Sequence, residues 1–174
     1  MRLALACAVL CLLALAAASP RFVFPDSPTF ESDKLDWNQR RTPSPAGIAF
    51  CQTNEDVVEA LAFAWSRNLA VTVRSGRHHY DALSAGQDSL VVDVSDMNSI
   101  RVFVANNTAR IGAGARLIEV YNTLYQVDGY AFPGGSCPSV GVSGFTLGGG
   151  FGFLSRYVGL AIDSLVELEI VTAD

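Results

Sequence analysis

A chain of 174 residues that is half hydrophobic and only 17% charged can bury a core, as one domain or as two small lobes. Its 12 basic against 17 acidic side chains give a net charge of −5, which argues against nucleic acid as a partner, since that binding needs a basic face. A zinc site from His78, His79 and Cys137 falls short on ligand count, and no Cys-x-x-Cys or His-x-x-x-His spacing occurs.

Arg2, the apolar run Leu3 to Ala17 and the small residues Ala16-Ala17-Ala18 read as a signal peptide over residues 1–18. The run is shorter than the roughly 20 apolar residues of a membrane span, so the expectation is a secreted protein without a span after cleavage. Cleavage leaves 174 − 18 = 156 residues and, with Arg2 gone, 11 basic against 17 acidic groups, a net charge of −6. Cys7 and Cys11 leave with the signal. Cys51 and Cys137 remain, one in an apolar strand and one in a glycine loop, which argues against a disulfide.

Residues 19–40 show no period and read as an arm, pinned by Phe30 and Trp37. Ile48 to Cys51 is a strand. Thr53 caps a helix with Glu55 and Asp56 in its first turn, and Val57, Leu61 and Trp65 recur at helical spacing as its buried stripe. Asn68 closes it, and Ala70 to Arg74 is an apolar run expected to be buried on both faces. After a polar loop, strand Leu90 to Val94 completes a first lobe of about residues 41–98.

The second lobe, about residues 99–174, opens with the hairpin Ile100 to Val104 and Ala109 to Gly112. Its tip, Asn106-Asn107-Thr108, is a glycosylation sequon with Asn106 as the acceptor. A helix from Arg116 to Gln126 carries Leu117, Val120, Tyr121 and Leu124 on one stripe, and Leu165 to Thr172 reads as a final strand. The stop at Asp174, hard against that strand, reads as truncation.

Two clusters carry chemistry. Nine of the 15 glycines fall between Gly134 and Gly159, around the single thiol of Cys137. Backbone that comes so close to something, with successive N–H groups exposed, suits an anion and above all a phosphate. The other cluster, Arg74-Ser75-Gly76-Arg77-His78-His79-Tyr80, leaves the end of a buried strand, where α/β sheets place ligands. It holds both histidines, and adjacent positions point opposite ways, so only one faces a site.

Other readings of these residues are weaker. Gly112-Ala113-Gly114 lacks the third glycine of a dinucleotide fingerprint, Gly141-Val142-Ser143-Gly144-Phe145 is not a nucleophile elbow, and no P-loop occurs. The order His before Cys fits one class of Cys–His hydrolase, but neither local protease signature surrounds Cys137.

The two clusters together resemble the berberine-bridge-enzyme-like oxidases of the vanillyl-alcohol-oxidase superfamily. Arg74 to Tyr80 is similar to the family's Arg-Ser-Gly-Gly-His-Ser-Tyr. Gly135 to Gly144 followed by Gly148-Gly149-Gly150-Phe151-Gly152 is similar to its Gly-x-Cys-Pro-Thr-Val-Gly-Val-Gly-Gly and Gly-Gly-Gly-x-Gly. Val92 to Ser95, Ala113 to Ala115 and Tyr157 to Asp163 add to the likeness, which runs from about Arg41 to Asp174.

The resemblance implies an α+β, PCMH-type FAD-binding fold of two small α/β lobes, incomplete at the C-terminus. It implies a bicovalent FAD, with His78 on the flavin 8α-methyl carbon and Cys137 on C6, and those are the natural nucleophiles for electron-poor ring carbons. Arg74, Ser75, Gly76 and Arg77 would wrap the pyrophosphate. His79, Val140, Gly141, Gly144, Gly148, Gly149, Gly150 and Gly152 would flank the cofactor. Arg77 stands where a second glycine is usual, and can still offer its N–H there if φ stays negative; His79 stands where serine is usual.

The implied enzyme moves a hydride from an alcohol or amine, of sugar or alkaloid type, to flavin N5, with dioxygen as acceptor. Its catalytic base is expected downstream of Asp174. A flavin-binding module without turnover is the alternative.

Overall fold

The structure, a computed structural model, describes residues 19–127 and 129–173. The signal peptide expected over residues 1–18 lies outside the described residues. Among these, no helix is long and apolar enough to cross a membrane.

The first unit contains β1 (Arg21–Val23), α1 (Phe30–Asp33), β2 (Gly47–Phe50), α2 (Asn54–Ser66), β3 (Val71–Arg74) and β4 (Leu90–Asp93). Its sheet has the order β1-β2-β4-β3. β2 and β3 both pair with β4 in parallel, and β1 pairs with β2 antiparallel. β2 and β4 are the central strands and are buried throughout, which explains their unbroken apolar character. On one face Ala49, Cys51, Val92 and Val94 pack against Ala60 and Ala64 of α2. On the other, Ile48, Phe50 and Val91 pack against Val23 and Phe30. The segment read as an arm therefore supplies a strand and a core phenylalanine to this sheet.

Two expectations fail here. β3 is an outer strand, and Val71 and Val73 are 37% and 60% exposed. Its apolar residues look like a buried run in sequence, but burial depends on a cover that the described residues do not provide. In α2 the buried stripe is Asp56, Ala60 and Ala64, while Trp65 is 82% exposed. The stripe Val57, Leu61 and Trp65 has the same period, one residue out of phase. Thr53 Oγ1 accepts from Asp56 N, and Asp56 Oδ2 accepts from Gln52 N and Thr53 N. That capping box turns Asp56 inward, and alanines let the helix approach the sheet closely. Asn68 ends the helix with φ of 52°, a left-handed turn that asparagine tolerates.

The second unit contains the hairpin β5 (Ile100–Phe103) and β6 (Thr108–Ile111), then α3 (Leu117–Gln126), α4 (Val142–Leu147) and α5 (Ser155–Val158). Leu117, Val120 and Leu124 of α3 face Val142, with Ile100, Val102 and Ile111 of the hairpin against them. The hairpin tip is a short 3-10 turn, Val104–Asn106, followed by Asn107 at φ 52°. Asn106 is exposed there.

The strand expected over Leu165 to Thr172 does not form. Residues 165–173 have no partner strand among the described residues, and Val166 and Ile170 are 85% and 68% exposed. Glu169 anchors the segment, accepting from Asn54 Nδ2 at 2.6 Å and from Arg110 Nη2 at 2.9 Å. An apolar run becomes a strand only beside a free sheet edge.

Candidate functional site

The site forms where the loop after β3 meets the glycine-rich loop before α4. Gly76 and Gly141 stand back to back. A Cβ on Gly141 would lie 2.5 Å from Ser75 Oγ and 2.6 Å from Gly76 N, and a Cβ on Gly76 would run into the Gly141 backbone. Ser75 Oγ and Ser143 Oγ both donate to Ala113 O, at 2.7 and 2.8 Å. Three segments distant in sequence therefore close on one point.

The cysteine loop is held by the start of α3. The first N–H groups of a helix have no partner within it. Here Leu117 N donates to Val140 O at 3.0 Å and Ile118 N to Pro138 O at 3.1 Å, while Val142 N donates to Ala115 O at 2.9 Å. Tyr121 Oη donates to Gly135 O at 2.5 Å. Cys137 is exposed on this wall as a free thiol, in an open depression of about 200 Å³ lined by Leu117, Gly135, Ser136, Val140, Phe145 and Phe151. Cys51 is also free but buried, and burial pushes its thiol up to about 12.

His78 crosses from the other loop. Its Nε2 lies 2.9 Å from Ser139 Oγ, over a separation of 61 residues. Ser139 lies in sequence between Cys137 and Val140, both of which line the depression, so the imidazole is tied to the same loop as the thiol. The Trp37 ring stacks on it with centroids 5.4 Å apart. Burial and the nearby Arg116 lower the pKa of His78; hydrogen bonding to the Ser139 main chain and the charge of Asp36 oppose this. His79 points elsewhere. Its Nδ1 accepts from Asp81 N at 3.2 Å and Leu83 N at 3.4 Å, so it caps its own loop in solvent. That division follows from the alternation of adjacent side chains.

The arginines are placed differently from expectation. Arg74 is 2% exposed and points inward. Its Nε donates to Asp93 Oδ2 at 2.6 Å, Nη1 to Lys34 O at 3.3 Å and Nη2 to Asp33 O at 2.5 Å. Burial lowers its pKa and the charge of Asp93 opposes that shift. Burial likewise raises Asp36, with Arg74 opposing. The Arg74 guanidinium is thus committed within the chain and presents no charge to a pyrophosphate. Arg77 has φ of 62°, not the negative φ expected. Its Nη2 donates to Asp93 Oδ2 at 3.0 Å, which repays a left-handed backbone at a position where glycine is usual.

The remaining glycines shape the wall. Gly149 and Gly150 take φ of 99° and 72° in the turn after α4, with their carbonyls accepting from Ile162 N and Ala161 N. Gly148 ends α4, and Gly152 packs on the Gly134 backbone. Gly144 lies within α4 beside open space. The sequence reading missed Ser139, Asp93, Asp36 and the acceptor Ala113. Ser139 lay inside a quoted motif, and Asp93, charged within an apolar strand, was the visible signal for a buried partner.

These residues fit a flavin nucleotide. Interlocked backbone gives close approach without side chains, and an apolar depression with a thiol on it suits a planar ring. Comparison with known proteins agrees. Residues 45–174 match the family model described as FAD binding domain. The chain is 41% identical over 154 residues to the FAD-linked oxidoreductase YgaK of Bacillus subtilis, covering 88% of this chain and 34% of that protein. Among solved structures, BBE-like 1 of Physcomitrella patens superposes with a TM-score of 0.80 at 35% identity, covering 83% of this chain and 32% of that one. The glucooligosaccharide oxidase of Acremonium strictum, described with a 6-S-cysteinyl, 8α-N1-histidyl FAD, superposes with a TM-score of 0.79 at 31% identity. It is covered over 30% of its length and covers 83% of this chain. The chain spans about a third of the length of the relatives it matches. With a matching family model over most of its length and the PCMH-type α+β fold, the chain belongs to the FAD-binding, berberine-bridge-enzyme-like flavoproteins of the vanillyl-alcohol-oxidase superfamily.

Proposed function

We propose that this chain is the FAD-holding part of a secreted oxidase acting on an alcohol or amine of sugar or alkaloid type. The observation that carries the reading is the meeting of the two loops: Gly76 against Gly141, and His78 Nε2 2.9 Å from Ser139 Oγ, two residues from Cys137. FAD, when bound, supplies the redox chemistry, accepting a hydride at N5 and passing its electrons to dioxygen.

The chain's own residues hold and orient. His78 and Cys137 tether the ring from opposite loops. A neutral imidazole suits that task, and burial and Arg116 favour it in His78. Ser75, Gly76, Gly141 and Arg77 set the backbone beside the phosphates, with Arg77 contributing through its main chain while Asp93 holds its side chain. Leu117, Val140, Phe145 and Phe151 give the depression an apolar lining for the ring. The catalytic base and the substrate lobe are assigned to the part of the protein outside this chain.

Mass spectrometry of the full-length protein tests the tether. Peptides containing His78 and Cys137 are expected each to carry flavin, and His78→Ala or Cys137→Ala to remove one link. Flavin released quantitatively by acid from the wild-type protein overturns it.

A further inference from the structure

His78 is held at two places that a tether alone does not require. Nε2 meets Ser139 Oγ at 2.9 Å, the only side-chain hydrogen bond of this imidazole among the described residues. Trp37 stacks on the ring face, and Trp37 N donates to Arg77 O at 2.9 Å, which anchors the indole to the backbone of the same loop. With a face and one nitrogen engaged, Nδ1 is the nitrogen left over. Resting on the tether proposed above, we infer that Ser139 is a positioning residue for flavin attachment: it accepts from Nε2–H and so leaves the Nδ1 lone pair as the nucleophile.

The chemistry is that of the tautomer. A neutral imidazole carries its proton on one nitrogen and its lone pair on the other, and the partner of the first decides which is which. Ser139 Oγ stands at hydrogen-bond distance from Nε2 and can take either role there; as acceptor it keeps the proton on Nε2 and leaves Nδ1 free. Arg116 and Asp36 are the charged groups that act on the ring, Arg116 favouring the neutral form and Asp36 the cation.

Attachment forms an Nδ1–C8α bond and breaks a C8α–H bond. The Nε2 proton also leaves, and the Ser139 hydroxyl turns from acceptor to donor. The electron pair of the broken C–H bond enters the ring system, and dioxygen removes it with two protons as hydrogen peroxide.

The test uses full-length wild type, Ser139→Ala and Ser139→Thr, reading by mass spectrometry the fraction of the His78 peptide that carries flavin against time. Loss of one orienting hydrogen bond is expected to slow attachment at His78 about tenfold in Ser139→Ala. The Cys137 peptide still loads, which shows the pocket formed, and Ser139→Thr restores the rate. Equal rates in all three proteins overturn the role of Ser139 while leaving the tether standing. Wild type without flavin on the His78 peptide overturns the tether and this role with it. Loss of flavin from both peptides in Ser139→Ala, unrestored by threonine, shows a pocket defect and overturns positioning as the explanation.

Discussion

Gly76 and Gly141 each occupy the space in which the other's side chain would stand, so the two loops touch through bare backbone. A methyl group on Gly76 meets the Gly141 main chain, which cannot move aside as a side chain could. Gly76→Ala is expected to destabilise by about 3 kcal/mol, and Gly141→Ala by a similar amount, measured by chemical denaturation. Gly144→Ala is the contrast. It sits in α4 with nothing within 4 Å of an added Cβ, so alanine should stabilise the cofactor-free protein by roughly 0.5–1 kcal/mol. If Gly144 flanks the flavin, the same change lowers flavin content. Unchanged stability of Gly76→Ala would sink the close-contact account.

Arg74 holds the base of the site through buried charge. Removing it leaves Asp93 and Asp36 without their main counter-charge in a place water does not reach. Arg74→Ala is expected to cost about 3–5 kcal/mol. Arg74→Lys should recover little, since one ammonium cannot reach Asp93 and the carbonyls of Asp33 and Lys34 together. Thermal melts of the three proteins decide this, and a lysine variant as stable as wild type contradicts it.

The pH dependence has a sign that follows from His78. Its folded pKa lies below that of the unfolded chain, so the unfolded state binds the proton first as pH falls. The stability it contributes is present above about pH 6.5 and is lost as pH falls from there through the folded value. Asp36 behaves oppositely: raised by burial from 3.8, it contributes stability fully below that value and loses it as pH rises through the folded pKa. In the cofactor-free protein, His78 lowers the denaturation midpoint as pH falls from about 7 towards 5, and His78→Gln should remove that contribution relative to wild type. An equal slope in the variant removes His78 from the account.

The two thiols differ in reactivity. Cys137 is exposed, while Cys51 is buried with its pKa pushed up to about 12. Iodoacetamide applied to cofactor-free native protein should label the Cys137 peptide, and the Cys51 peptide only after denaturation. Rapid native labelling of Cys51 would contradict its burial. In flavin-loaded protein the tether predicts that Cys137 is protected as well.

Much of the fold was legible locally. Thr53 and Asp56 announce the start of α2 because a capping box is written in neighbouring residues. The Asn106-Asn107 tip announces its hairpin because few other residues tolerate the turn. Phase and cover were not legible. Ala60 and Ala64 offer far less apolar surface than Leu61 and Trp65, yet they face the sheet, with Asp56 turned inward on the same stripe. Val71, Val73 and Ile170 carry strand-like side chains whose burial depends on what lies beside them.

The site divides in the same way. Residue types and spacing by themselves pointed to a phosphorylated cofactor against glycine-rich loops, because bare backbone N–H groups suit phosphate, and the resemblance supplied the flavin. Only the folded chain decided that His78 reaches Ser139 on the cysteine loop while His79 caps its own loop, that Arg74 turns inward to Asp93, and that Trp37 stacks on the imidazole. Those outcomes depend on side-chain direction and on contacts across as many as 61 residues, and a linear pattern carries no information about which of two neighbours points in.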